Sequence, residues 1–107
     1  MKINPRELSW GRVTTRVDGS DIPGEVNYAL GVDYGDTIEE MFVVVGSLQP
    51  GGVYVAPIGD MEFSPGVTTI ALRATEVDSG LTSAWSNTAT FEIVTAAPTA
   101  PFAVAVE

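Results

Sequence analysis

VNYALGVD, residues 26–33, is the stretch from which the fold is read. Val26, Tyr28, Leu30 and Val32 alternate with Asn27, Ala29, Gly31 and Asp33. A period of two sends the large apolar side chains to one face of a β-strand and the small or polar ones to the other. Outward from it, Ile70, Leu72 and Ala74 alternate with Ala71 and Arg73. Ala89, Phe91 and Ile93 alternate with Thr90 and Glu92. Residues 41–45, MFVVV, form a continuous apolar run that suits a strand covered on both faces or seated at an interface. Residues 53–58 give another strand, with Pro57 placing it at an edge or marking its end. Turn residues separate these segments: Asp18 with Gly19, Pro23 with Gly24, Pro50 with Gly51 and Gly52, Pro65 with Gly66, and residues 78–80. No helical periodicity competes. Six or so short strands divided by turns predict an all-β, antiparallel β-sandwich.

The chain has 107 residues, enough for one core, and 45% of them are hydrophobic against 18% charged, so it is expected to fold. It contains no Cys and no His. A disulfide framework, thiolate or imidazole metal ligation, and Ser-His-Asp or Cys-His nucleophiles are therefore excluded. The formal charge of -9 argues against a duplex nucleic-acid partner, which needs clustered Lys and Arg. Charge is unevenly placed. The first sixteen residues hold Lys2, Arg6, Arg12 and Arg16 against Glu7, a net +3, while the remainder carries Arg73 against thirteen acids. The plain reading is a solvated acidic surface. The sharper one is a basic end, with Arg6, Arg12 and Arg16 contacting an acidic partner such as another copy of the chain. MKINPRELSW at the start has no apolar run of the secretory kind, and no stretch approaches a membrane span, so no membrane partner is expected.

Residues 63–93, FSPGVTTIALRATEVDSGLTSAWSNTATFEI, resemble the second half of a fibronectin type III domain. The matching features are Pro65 and Gly66, Ala74, Gly80 and the SAWSN segment at 83–87. Leu8, Ser9 and Trp10 resemble that family's second strand, with Trp10 as its core tryptophan, and Asp18, Gly19, Ile22, Gly24 and Tyr28 resemble the run into its third. Two departures stand out. Thr68 and Thr69 lie where the family usually has a corner tyrosine, and only residues 1–7, interrupted by Pro5, precede the second strand. The expected organisation is a short arm at 1–7, a fibronectin type III-like sandwich at 8–95, and a Pro/Ala linker with a tail strand at 96–107. In that tail Phe102, Val104 and Val106 alternate with Ala103 and Ala105. The alternation resembles the opening strand of a following repeat, and it suggests a strand donated to a neighbouring subunit.

Acidic residues are the only candidates for chemistry. Asp33, Asp36, Glu39 and Glu40, or Asp18 and Asp21, lie in turns of a kind that binds calcium, but without EF-hand spacing they read as solvated turns. No catalytic, cofactor or metal residue is assigned, and no enzyme activity is expected. The interface residues expected are Arg6, Arg12, Arg16, Phe102, Val104 and Val106. Small fibronectin-like and immunoglobulin-like domains are frequent in bacteriophage virions. The resemblance thus implies a virion structural protein, either a capsid decoration or cement subunit or a small tail component. Its partners would be itself or a larger capsid or tail protein, in a homo-oligomer or on a lattice. The alternatives are a carbohydrate- or protein-binding module of a secreted or cell-surface protein, and a calcium-dependent adhesion domain.

Overall fold

Eight strands build two facing sheets in a computed structural model that describes residues 1–59, 61–94 and 100–106. The strands are β1 (Lys2–Ile3), β2 (Glu7–Gly11), β3 (Val26–Asp33), β4 (Ile38–Val44), β5 (Ser47–Gln49), β6 (Val53–Pro57), β7 (Gly66–Glu76) and β8 (Ala89–Ile93). One sheet runs β1-β8-β7-β3-β4 and the other β2-β6-β5. Every pairing is antiparallel except β1 with β8. The expected all-β sandwich is therefore observed.

The alternation of residues 26–33 places that segment at the heart of the larger sheet. β3 pairs with β7 over seven residues and with β4 on its other side. Leu30 has no exposed surface, and around it cluster Val44, Ile70 and Phe91 from its own sheet and Ala56 from the other. Leu8 and Trp10 of β2 pack onto this cluster, so both sheets contribute to one core. Trp10, Tyr28 and Tyr54 form an aromatic group with centroids 5.3–5.6 Å apart, and Phe63 links Phe42 to Phe91 edge to face. Such pairings add to area burial.

The sandwich has two poles. The lower one gathers the start of β2, the end of β6, the start of β7 and the end of β8. The upper one gathers the end of β2, the start of β3 and the end of β7. β1 runs down beside the last part of β8, and residues 4–6 cross beneath the sandwich into β2. Asn4 fixes the crossing: its side chain donates to the Val94 carbonyl at 3.0 Å and accepts from the Val94 amide at 2.8 Å. Its φ of 47° is left-handed, a conformation asparagine tolerates better than most residues.

The observed strands refine several expectations. Within the short arm at 1–7, the two-residue β1 pairs with Phe91 and Glu92. The run 41–45 is not covered on both faces. β4 is an edge strand whose Phe42 and Val44 turn inward, while Met41, Val43 and Val45 are exposed. Pro57 closes β6, in the middle of its sheet, where β5 no longer reaches. At the corner, the Thr69 and Thr90 hydroxyls pair across the strands at 3.0 Å. The linker at 96–101 and the boundary at 95 fall largely outside the described residues.

Candidate interaction surface

The two flanks of the smaller sheet differ. β6 satisfies one side of β2. The Ile58 amide donates to the Arg6 carbonyl and the Arg12 amide to the Gly52 carbonyl, each at 2.9 Å. Those bonds set the phase of the ladder, since hydrogen-bonded pairs alternate along antiparallel strands. Arg6, Leu8, Trp10 and Arg12 direct their main-chain groups at β6. Glu7, Ser9 and Gly11 therefore direct theirs away from it, to a flank on which no strand lies among the described residues. Unpaired strand edges of this kind are templates for another chain.

Beside that flank lies a trough of about 320 Å³. β2 forms one wall, residues 83–89 the other, and Ile70, Leu72 and Ala74 of β7 line it between them. The second wall stands off because of its sequence. Above Ala89 the chain no longer follows β7 through ordinary backbone pairing alone. The Ser83 and Ser86 hydroxyls accept the Ala74 and Leu72 amides at 2.9 and 3.0 Å, and their own amides donate to the Ala74 and Leu72 carbonyls. Trp85 between them folds onto the outer face of the large sheet, with the Arg73 guanidinium 4.5 Å from its ring centroid. Gly31 makes this seat: a Cβ there would stand 2.6 Å from the Trp85 ring and 2.7 Å from Ile38. Trp85 thus packs on the sheet. A second hollow of about 380 Å³ shares Val13, Ala74 and Ser83 with the first and continues it toward the upper pole. Trp10 lines the trough, and its indole N–H is buried without an acceptor among the described residues.

The tail carries the complementary feature. Phe102, Val104 and Val106 are 92%, 80% and 100% exposed, so their apolar face touches almost nothing of their own chain. The segment forms no ladder here, and Ala103 at φ 57° bends it away from regular strand geometry. The expected strand is thus not formed within the single chain.

The three arginines do not make a basic end. Arg6 lies at the lower pole and Arg12 at the upper, beyond opposite ends of β2. Arg16 is engaged within its own chain. Its guanidinium forks onto the Glu76 carboxylate at 2.7 and 3.0 Å. The Glu76 side chain is only 10% exposed, and the fork lowers its pKa while raising that of Arg16. A joint basic patch of Arg6, Arg12 and Arg16 is accordingly absent, because one is paired and the others are a strand length apart. The sequence offered no signal for a pair sixty residues apart.

The acidic turns hold their own backbone. Asp18 accepts from the Ser20 amide and hydroxyl at 2.9 and 2.7 Å, which lowers its pKa, and Asp33 accepts from the Gly35 amide at 2.8 Å. Among the described residues no three acids converge as a metal site would require. Among the described residues no helix is long and apolar enough to cross a membrane. No protein-family model matches the chain, and comparison with curated proteins and with solved structures yields no match.

Proposed function

We propose that this chain is a non-enzymatic structural subunit that joins neighbouring subunits through its C-terminal segment and its unpaired sheet edges. The observation that carries the reading is the tail: an alternating apolar face at Phe102, Val104 and Val106 that its own sandwich does not cover. An isolated strand with one large apolar face is unstable in water, and β-augmentation of a neighbour is the recurrent way such a segment is satisfied. The fibronectin type III affinity of residues 8–95 belongs to this proposal. So does the setting, a virus particle in which the chain decorates a capsid or forms a small tail component, with itself or a larger capsid or tail protein as partner. That setting rests on analogy between small sandwiches of this kind.

Light scattering on the full chain beside a chain ending at Ala97 tests the assembly role. An oligomeric full chain and a monomeric truncation are expected. Two monomers would overturn the reading and favour a ligand-binding module. Co-sedimentation of the full chain with assembled particles tests the setting.

A further inference from the structure

We infer that residues 102–106 of one copy dock in the trough beside β2 of the next, inserting from the upper pole, so that copies join head to tail. The inference rests on the assembly reading and adds to it the acceptor site and its polarity.

The acceptor supplies both halves of a strand-binding site. Glu7, Ser9 and Gly11 turn main-chain donors and acceptors outward, and Leu8 and Trp10 wall an apolar trough directly beneath. The donor matches in length and pattern. Residues 102–106 number five, as does β2. With Val104 opposite Trp10 and Val106 opposite Leu8, Phe102, Val104 and Val106 enter the trough, Ala105 lies outward opposite Ser9, and Ala103 lies outward opposite Gly11. The smaller sheet would gain a fourth strand, and the gap between the sheets would be filled by side chains.

Polarity follows from the two ends of the trough. Residues 4–6 cross beneath the sandwich from the β8 flank to β2 below the trough, held by Asn4 on Val94, and line a separate hollow there with Ile58, Phe63 and Phe91. Upward the trough continues into the second hollow through Val13, Ala74 and Ser83. A strand inserted from above runs downward, antiparallel to β2 and parallel to β8. β1 already takes that direction at the lower end.

The occupant is a second copy because the tail departs from the lower pole, beyond Val94. To fill its own trough it would climb about 17 Å along the flank, at about 3.4 Å per strand residue, and then reverse. The seven residues 95–101 reach at most about 25 Å fully extended, which leaves about two residues for crossing and turning. The exposure of Phe102 agrees with this. A contact from lower pole to upper pole is heterologous, so it propagates as a ring or a filament.

The absence of cysteine makes the test direct. Ser9→Cys on the outward face of β2 is mixed with Ala105→Cys and treated with a short thiol cross-linker. Val43→Cys on the exposed edge of β4 is mixed with Ala105→Cys in parallel, and light scattering is recorded on each mixture. Cross-linked dimer is expected from the Ser9→Cys pair in roughly ten-fold excess over the Val43→Cys pair, since cross-strand neighbours lie about 5 Å apart. An oligomer that cross-links through Val43→Cys and not through Ser9→Cys overturns the acceptor assignment and leaves the assembly reading standing. Monomers throughout overturn both.

Discussion

β3 and the tail carry the same pattern in opposite surroundings. Tyr28, Leu30 and Val32 alternate with smaller residues, as do Phe102, Val104 and Val106. Leu30 is wholly buried between two sheets, whereas Phe102 is 92% exposed. The difference shows what a period of two encodes. It fixes which face of a segment must leave water, and it does not fix whose atoms cover that face. β3 finds its cover in β7, β4 and the opposite sheet. The tail finds none among the described residues of its own chain.

Substitutions can break or sharpen that contrast. Leu30→Ala should cost the largest amount, about 2–5 kcal/mol of unfolding free energy in a urea titration, because the surrounding core cannot collapse fully onto the space left. A loss well under 1 kcal/mol would mean that β3 is not the centre of the core. Gly31→Ala should cost about 1–3 kcal/mol, since its Cβ would overlap the Trp85 ring, and should shift tryptophan emission as that ring leaves the sheet. Unchanged emission would place Trp85 elsewhere. Ser86→Ala should cost about 1 kcal/mol by removing the hydroxyl that accepts the Leu72 amide.

Glu76→Gln tests the upper pole by pH. The Arg16 fork lowers the Glu76 pKa, so its stabilisation is fully present above the ordinary glutamate value of about 4.3 and is lost as pH falls through the lowered folded value. Thermal melts of the wild-type chain should decline through that acid range more steeply than those of Glu76→Gln. Parallel declines would mean that the fork contributes nothing. The smallest effect on folding belongs to Phe102→Ala, which should leave the unfolding free energy of dilute protein unchanged while weakening self-association in light scattering. A large folding loss would show that the tail packs on its own sandwich.

β3, β7 and β8 were legible by alternation because one face of each meets the core, while β2 was read from the Leu8, Ser9 and Trp10 motif, whose Leu8 and Trp10 also face it. β5 was not, since Ser47, Leu48 and Gln49 lie exposed at a sheet edge and need no apolar face. The two faces of residues 41–45 could not be told apart, because valine stands on both and only the position of β4 at the edge separates them. The interaction surface was half legible. The tail announced itself by alternation, but the trough arises from the serine-mediated pairing of residues 83–86 with β7 and from the Gly31 seat of Trp85. Both depend on contacts between distant segments. The same holds for Arg16, expected to contact an acidic partner and found on the Glu76 carboxylate of its own chain.

The placement of the two tryptophans also makes the chain its own spectroscopic instrument. Trp10 sits between the sheets with Tyr28 and Tyr54, beside the trough, and Trp85 lies against Arg73 on the outer face. With no third indole in the sequence, a chain carrying Trp85→Phe would emit from the trough alone, and one carrying Trp10→Phe from the outer face alone. Quenching and anisotropy of the first would follow occupancy of the trough, while the second would follow the integrity of the large sheet. Two events that any bulk unfolding signal merges can thus be timed separately in the unlabelled protein.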